Sequence, residues 1–341
     1  MRVFSGIKPS GQLHLGNYLG ALRHFVADQH TAEAFYCVVD LHALTVAQSP
    51  AALRTMTLET AQIFLAAGLD PQVCTLFVQS HVPAHAELAW LMQCTSAFGE
   101  LRRMVQFKDK AAGEDGHEGV SVGLFTYPTL MAADILLYRA DRVPVGDDQR
   151  QHLELARLLA QRFNTRYQND PVPGEATAAD VFVVPVATTP PVAARVMDLT
   201  DPNGKMGKSN QSGQGVIYLL DSPDQIAKKI RRAVTDTENQ VRFDPVTKPG
   251  VSNLLGILAA TTGRTTEALA ETYSQYGALK SDTADAVIES LRPLQERHDE
   301  LSRDPGFVHH VIAEGAAVAS DVAGGTLARA KTAIGLLERL N

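Results

Sequence analysis

The N-terminal part of the chain alternates between strand-like and helix-like patterns of apolar and polar positions. Residues 2–7 alternate as a half-buried strand does, and residues 34–39, 74–78 and 181–186 form short apolar runs typical of buried strands. Helical spacing of apolar residues occupies the stretches between them, as at 50–68. This order predicts βαβ units and a parallel sheet that binds its ligand at the carboxyl ends of the strands.

The pattern changes beyond the middle of the chain. From Ser222 onward almost every segment has helical periodicity, and only residues 240–250 resemble an extended or turning interruption. We therefore predict an α/β protein with a Rossmann-type parallel-sheet domain at 1–210, which contains a helical insertion at about 84–140. A smaller all-helical domain is predicted to follow at 211–341.

Two stretches predict exposed connections because they are poor in large apolar residues. Residues 111–122 are Gly-rich and acidic, which is typical of a mobile loop. Residues 168–180 are expected to form another exposed connection, just before the last strand.

Composition restricts the class of protein further. The chain has 341 residues, of which 45% are hydrophobic and 20% charged, and this fits a soluble globular protein of two domains. We expect no membrane span, since no apolar run approaches the roughly 20 residues that one needs, and no signal peptide. The three cysteines stand apart in apolar stretches, which favours reduced thiols in a cytoplasmic protein: Cys37, Cys74 and Cys94.

The net charge of −7 argues against a general nucleic-acid coat, which is normally basic. A structured RNA, however, needs only a local positive surface. Two basic clusters offer such a surface: Arg102, Arg103, Lys108 and Lys110 in one, and Lys228, Lys229, Arg231 and Arg232 in the other. Taken alone, each cluster is explained more simply as the solvated face of a helix.

Two distant segments carry the chemistry of a phosphate site. Residues 9–17 read PSGQLHLGN, where the first strand gives way to a helix that begins near Leu15. Gly16 allows the backbone to approach a nucleotide, and the helix start offers free N–H groups to anionic oxygens. Residues 205–209 read KMGKS, a turn with two ammonium groups and a hydroxyl, suited to the charge that develops on a triphosphate.

These segments resemble the HIGH signature and the KMSKS loop of the class I aminoacyl-tRNA synthetases. The resemblance to the bacterial tryptophanyl-tRNA synthetases covers nearly the whole chain. It is carried by VFSGI at 3–7, GNYLGALR at 16–23, PTLMAADILLY at 128–138, VPVGDDQ at 143–149, PGVSNLL at 249–255 and LRPLQER at 291–297. The chain departs from the family pattern at Lys8, where glutamine is expected, and at Gly207, which replaces the first serine of the loop.

The resemblance implies where ATP binds. The expected ATP contacts are Lys8, Pro9, Ser10, Gly16, Asn17, Gly146, Asp147, Asp148, Val196, Lys205, Met206, Gly207, Lys208 and Ser209. The expected catalytic residues are His14, Asn17, Lys110, Lys205 and Lys208. Without the family, Asn17 fits a helix cap, His14 fits a turn residue, and residues 146–149 fit an N-cap with an acidic first turn.

An acidic residue in an otherwise apolar helix is the expected determinant of amino-acid specificity. Tyr127, Met131 and Asp134 fall at i, i+4 and i+7, so they share one face of a helix that Pro128 is expected to open. A buried carboxylate needs a donor, and the residues alone favour a structural salt bridge. The resemblance implies instead that Asp134 accepts the indole N–H of tryptophan. The other expected tryptophan contacts are Phe4, Val39, His42 and Gln149, beside Tyr127 and Met131.

The activity that the resemblance implies is that of a tryptophan–tRNA ligase. Tryptophan and ATP would form tryptophanyl-adenylate, and the tryptophanyl group would pass to the 3′-terminal adenosine of its tRNA. The resemblance further implies Mg²⁺ bound with ATP and no protein-bound metal. It also implies a homodimer with its interface in the 84–140 insertion, an anticodon-binding helical domain and no membrane partner.

Other readings of the sequence stay open. A tyrosine-charging enzyme, a small nucleotidyltransferase and a regulatory protein derived from a synthetase share part of these features. Residues 81–87 also contain His81, His85 and Glu87, a weak zinc motif that lacks a fourth ligand and nearby cysteines.

Overall fold

The computed structural model describes residues 1–105, 121–146, 149–168, 180–188, 195–207 and 213–337. Most of the expected loop at 111–122 and of the connection at 168–180 lies outside these residues.

Within the described residues, five parallel strands form one sheet. They are β1 (Arg2–Ile7), β2 (Glu33–Val38), β3 (Thr75–Val78), β4 (Arg142–Pro144) and β5 (Val186–Thr188). Their spatial order is β3-β2-β1-β4-β5. The chain adds strands on one side of β1 and then restarts on its other side, so the strand order reverses between β1 and β4. In open parallel sheets, ligands bind at this reversal, beyond the carboxyl ends of the strands.

Helices cover both faces of the sheet. In chain order they are α1 (Leu15–Asn17), α2 (Arg23–Asp28), α3 (Pro50–Ala66), α4 (Ala84–Thr95), α5 (Phe98–Arg102), α6 (Val122–Leu137), α7 (Arg150–Gln168), α8 (Pro223–Arg231), α9 (Pro249–Thr262), α10 (Thr266–Ala270), α11 (Tyr276–Arg303) and α12 (Pro305–Ile334). A π-helical segment (Tyr18–Leu22) joins α1 to α2, and short 3₁₀ segments follow β2 (Leu41–Thr45) and β3 (Gln79–His81).

Two apolar cores lie on opposite faces of the sheet. Tyr36 and Val38 of β2 belong to one core, and Phe35 and Cys37 belong to the other. Because consecutive strand residues point to opposite faces, a strand buried on both sides is apolar at every position. This is why residues 34–39 form an unbroken apolar run rather than an alternating one.

The helix that carries Asp134 begins six residues earlier than predicted. Ser121 caps α6, since its hydroxyl accepts a hydrogen bond from the Leu124 N–H (3.2 Å), and Pro128 lies inside the helix. The prediction that Pro128 opens this helix is therefore wrong. A proline interrupts one backbone hydrogen bond, but the cap and the burial of the following turns keep α6 continuous.

The last strand also begins later than predicted, at Val186 instead of residue 181. Val181 and Phe182 are buried in an irregular segment. The side chain of Asn164 on α7 replaces a neighbouring strand: its Oδ1 accepts from the Phe182 N–H (3.1 Å) and its Nδ2 donates to the Phe182 carbonyl (2.8 Å). Before Val186, the apolar run reflects this burial rather than strand pairing.

The final helix, α12, returns to the sheet. Ala316, Ala319 and Ala323 are buried in the core that also contains Phe77 of β3. At Gly315 an added Cβ would lie 1.9 Å from the Leu76 carbonyl oxygen, so the helix and the strand touch through their backbones. By length and composition α12 is the one described helix that is able to cross a membrane. Its contacts with β3, α4 and α6 are those of a core helix. The domain division near residue 210 stays a prediction.

Candidate active site

A cavity of about 430 Å³ opens where the strand order reverses. The end of β1 contributes Gly6 and Lys8 to its wall, the end of β4 contributes Val145 and Gly146, and α6 contributes Asp134. Gly6 is tightly packed, because an added Cβ would lie 2.8 Å from the Cys37 carbonyl oxygen. The sheet topology thus places backbone, a cation and a buried acid around one space.

All seven residues predicted to contact tryptophan line this cavity: Phe4, Val39, His42, Tyr127, Met131, Asp134 and Gln149. Four residues predicted to contact ATP line it as well: Lys8, Ser10, Asn17 and Gly146. Five predicted site residues lie outside the described part of the chain: Lys110, Asp147, Asp148, Lys208 and Ser209.

Asp134 is the buried acid of this cavity, with 2% of its side chain exposed. Its Oδ1 accepts hydrogen bonds from Gln79 Nε2 (2.7 Å) and from the ring Nδ1 of His85 (2.6 Å). Its Oδ2 lies 2.8 Å from Nε2 of His42. The expectation from residues alone, a structural salt bridge, is met only in the sense that two histidines contact the carboxylate.

These contacts keep the carboxylate ionised. Burial by itself would raise the pKa of Asp134, but the hydrogen bonds and charges of His42 and His85 outweigh it and hold the pKa well below its usual range. The site therefore presents an acceptor, not a carboxylic acid, to whatever enters the cavity.

An aromatic wall stands beside Asp134. The Tyr127 hydroxyl lies 2.6 Å from Nε2 of His152, and the Tyr127 ring meets the His42 ring edge to face at 6.2 Å. Burial raises the pKa of Tyr127, so its hydroxyl stays protonated. Tyr127 and Met131 thus offer a fixed ring and a polarisable thioether to a flat apolar ligand.

Hydrogen bonds fix the signature turn at 14–17, of which His14 and Leu15 are buried. Asn17 Oδ1 accepts from the backbone N–H of His14 (3.1 Å), and only 5% of His14 is exposed. The Leu15 N–H donates to the Ile217 carbonyl (2.9 Å). The sequence predicted free N–H groups at this helix start, and for Leu15 that prediction is wrong.

The first residues of the segment at 205–209, here called the lysine loop, lie close to the same turn. Met197 and Lys205 form an antiparallel bridge, and the Met206 N–H donates to the Val196 carbonyl (3.0 Å). Later in the chain than the loop, Tyr218 forms an isolated antiparallel β-bridge with His14. The two sequence motifs are therefore neighbours in space, although about 190 residues separate them.

Val196 faces the glycine of the signature turn. A Cβ added to Gly16 would lie 3.8 Å from the Val196 Cβ and 3.1 Å from the His14 ring, so Gly16 keeps a narrow gap open. Met206, another predicted ATP contact, is 2% exposed and part of the core, which leaves mainly its backbone available to a ligand. Asn253 of α9 fixes this region, because its amide accepts from the Met197 N–H (2.9 Å) and donates to the Met197 carbonyl (3.0 Å).

Comparison with known proteins identifies this arrangement. The family model described as "tRNA synthetases class I (W and Y)" matches residues 1–292. The chain belongs to this family. Tryptophan–tRNA ligase 1 of Streptomyces avermitilis is 56% identical over 339 residues, which are 99% of each chain.

Solved synthetase structures share the whole fold. The tryptophanyl-tRNA synthetase of Mycoplasma pneumoniae superposes with a TM-score of 0.89 at 38% identity, over 98% of both chains. That of Campylobacter jejuni, in complex with ADP and tryptophan, gives a TM-score of 0.79 at 32% identity, over 98% of this chain and 100% of that one.

Sequence reasoning about this class I synthetase missed the residues behind Asp134: Gln79, His85, Tyr138 and, beside Tyr127, His152. A signal existed for His85, because the segment at 81–87 drew attention as a weak zinc motif. In the structure the three residues of this motif have different surroundings. His81 is exposed, His85 contacts Asp134, and Glu87 pairs with Lys331 (2.7 Å).

Proposed function

We propose that this class I synthetase is a tryptophan–tRNA ligase that activates tryptophan with ATP and transfers it to tRNA. The observation that carries the proposal is the ionised, buried Asp134 in the wall of a cavity that also borders the signature turn. The chain's full-length similarity to tryptophan–tRNA ligases supports it.

In the first step the carboxylate of tryptophan would attack the α-phosphorus of ATP. A bond forms from the carboxylate oxygen to the α-phosphorus. The bond from the α-phosphorus to the α,β-bridging oxygen of ATP breaks, and that oxygen leaves with pyrophosphate. The attacking group is already ionised, so alignment and charge neutralisation do the catalytic work. ATP enters as its magnesium complex, and Lys205 with Lys208 would stabilise the charge that moves onto pyrophosphate.

Asp134 would distinguish tryptophan from the other aromatic amino acids. The indole N–H can donate to the carboxylate while the ring packs on Tyr127 and Met131. Phenylalanine offers no donor, which would leave part of the buried carboxylate unpaired, and the tyrosine hydroxyl lies on a different part of its ring. Sites of this kind reject the analogue that lacks the donor by roughly 10⁴-fold or more.

In the second step the 3′-terminal adenosine of the tRNA would take the tryptophanyl group. A chain of net charge −7 needs local basic surfaces for this partner. Lys228 and Arg232 of the C-terminal region, with Lys229, border a polar cavity next to Tyr218, which bridges His14. We infer that the helical region beyond residue 210 reads the anticodon.

We also infer that two copies of the chain associate. Three large apolar side chains are exposed on neighbouring helices of the 84–140 insertion: Trp90 (63%), Phe98 (69%) and Val122 (75%). Phe98 also packs on Phe125, with ring centroids 5.0 Å apart. Large apolar side chains exposed on neighbouring helices are typical of a protein interface. All three cysteines are free thiols, which is consistent with a cytoplasmic protein.

The test is the exchange of labelled pyrophosphate into ATP with each of the twenty amino acids in turn, followed by charging of total tRNA. We expect exchange with tryptophan alone and charging of tryptophan tRNA. Exchange driven by tyrosine would contradict the specificity. No exchange with any amino acid would favour a regulatory protein derived from a synthetase.

A further inference from the structure

A chain of hydrogen bonds runs from Asp134 away from the cavity. Asp134 Oδ1 contacts Nδ1 of His85 at 2.6 Å, and Nε2 of His85 contacts the Tyr138 hydroxyl at 2.8 Å. His85 and Tyr138 are fully buried, and neither is among the residues that line the cavity. Their hydrogen bonds reach the cavity through Asp134.

The surroundings of Tyr138 and the charge of Asp134 determine where the protons lie. The Tyr138 ring is packed between Phe4, Phe35 and Phe77, with centroids 4.7 to 5.5 Å apart. Burial raises the pKa of Tyr138, so its hydroxyl stays protonated. The ionised carboxylate of Asp134 can only accept, so Nδ1 of His85 carries a proton and donates it to Oδ1. The Tyr138 hydroxyl holds the other ring nitrogen, Nε2, at 2.8 Å, so both nitrogens of His85 have fixed partners.

This proton arrangement leaves one oxygen of Asp134 for a ligand. Oδ1 already accepts two hydrogen bonds, one from Gln79 and one from His85. Oδ2 contacts only His42 among the described residues, and His42 lines the cavity. Since each carboxylate oxygen can accept about two hydrogen bonds, the remaining acceptor position belongs to Oδ2.

We propose that His85, supported by Tyr138, is a positioning residue that sets the orientation of Asp134 and thereby the preference for an amino acid with a ring N–H. The inference rests on the proposed function. Without the His85 donor, the carboxylate would be free to turn Oδ2 toward Gln79, or to take up a proton and present an O–H instead of an acceptor.

The test compares variants that differ in the donor at position 85. His85→Leu removes the donor, whereas His85→Asn places an amide N–H near the position of Nδ1. In pyrophosphate exchange we expect His85→Leu to raise the KM for tryptophan about 10- to 100-fold, the range for a hydrogen bond to a charged group. The KM for ATP should change less than about threefold, and His85→Asn should restore most of the tryptophan affinity. Tyr138→Phe should raise the KM for tryptophan to a smaller extent, without a change in ring packing.

A pH profile provides a second readout. The titratable groups that face Asp134 are His42 from the segment after β2, His85 from α4, Cys37 from β2 and Tyr138 after α6. Loss of the His85 donor raises the pKa of Asp134, so the carboxylate takes up a proton earlier as the pH is lowered. On acidification, kcat/KM for tryptophan should therefore start to fall at a higher pH in His85→Leu than in the wild type. A merely structural role for His85 would lower activity equally at every pH.

The matched control is His81→Asn, because His81 is exposed and lies one turn before α4. It should leave both KM values unchanged. Equal losses for tryptophan and ATP in His85→Leu, with no recovery in His85→Asn, would overturn the proposal. If thermal unfolding shows that His85→Leu is not folded, an unchanged KM for tryptophan in Tyr138→Phe would overturn the proposal instead. If the wild type shows no pyrophosphate exchange with tryptophan, the proposed function is wrong, which is a separate outcome.

Discussion

Asp134 is buried and yet ionised because Gln79, His42 and His85 surround its two oxygens. A buried carboxylate without such partners would be neutral at ordinary pH. The same three contacts restrict how a ligand can approach it. In the proposed function, this one side chain connects the packing of the sheet to the choice of amino acid.

Replacement of Asp134 tests that connection. Asp134→Asn keeps the shape of the side chain but removes the charge and turns an N–H toward existing donors. We expect the KM for tryptophan to rise at least tenfold, since a hydrogen bond to a charged group contributes about 1.5–3 kcal/mol. The KM for ATP in pyrophosphate exchange should stay within about threefold. Similar losses for both substrates would mean that Asp134 only supports the fold.

A second carboxylate makes a prediction about stability and pH. Asp236 accepts from the Tyr276 hydroxyl (2.5 Å) and from Lys248 (2.9 Å). Partial burial would raise its pKa, but these hydrogen bonds prevail and lower the pKa of Asp236 to about 2. A lowered pKa stabilises the fold above the unfolded value of 3.8, and that stabilisation disappears as pH falls toward 2.

Tyr276→Phe removes one of the donors to Asp236, while Lys248 and the Glu238 N–H remain. Its melting temperature should be lower than that of the wild type at pH 6, and the gap should narrow between pH 4 and pH 2. Thermal unfolding followed by circular dichroism measures both. Tyr273→Phe is the matched control, because its hydroxyl contacts the exposed Asp282 and should matter less. A gap that stays constant with pH would exclude the role assigned to Asp236.

Sequence and structure agree best at residues whose role is local. Gly16 and Asn17 lie in a turn that the sequence already indicates, because a strand pattern is followed by a glycine and then by a helix pattern. The i, i+4, i+7 spacing correctly placed Met131 and Asp134 on one wall. The partners of Asp134 come from three other elements: His42 after β2, Gln79 after β3 and His85 on α4. Their meeting depends on tertiary packing, which the spacing of residues along the chain does not encode.

Among the helices and strands, α12 is the one whose packing depends most clearly on a single residue. Gly315 lets the helix touch β3, since a Cβ there would lie 1.9 Å from the Leu76 carbonyl oxygen. Gly315→Ala must therefore displace the helix or the strand. We expect a loss of at least about 1–3 kcal/mol in unfolding free energy, as for other overpacked positions.

Gly324 on the same helix supplies the control for this prediction. A Cβ at Gly324 meets nothing within 4 Å, and the residue is exposed. Gly324→Ala should stabilise the protein by about 0.5–1 kcal/mol, because alanine is the better helix former. Urea unfolding of both variants measures the difference. Equal effects at the two positions would show that helix propensity, not close packing, dominates.

The elements also show where a sequence pattern misleads. An apolar run predicted a strand at 181–186, but Asn164 satisfies the backbone of Phe182 and the segment is irregular. Pro128 looked like a helix start, but Ser121 provides the cap. In both cases the apolar pattern correctly indicated burial. The hydrogen-bond partner that fixes the boundary lies elsewhere in the chain.

For the whole molecule, association of two copies is testable through the insertion at 84–140. The wild type should sediment at twice the chain mass of 36.8 kDa. Trp90→Glu combined with Phe98→Glu should sediment as a monomer, because two charges would be buried in an apolar interface. Val246→Glu is the control, since Val246 is 88% exposed in the helical region. A monomeric wild type, or a dimeric double variant, would contradict this interface.

A substrate analogue that lacks the ring N–H shows whether Asp134 recognises that group. Pyrophosphate exchange is measured with tryptophan and with its isostere β-(3-benzothienyl)alanine, in which sulfur replaces the ring N–H. The two rings have nearly the same shape, so packing on Tyr127 and Met131 is retained. We expect kcat/KM for the isostere to fall by roughly 10²-fold or more, since its sulfur leaves a buried acceptor unpaired. Equal exchange with both compounds would contradict it.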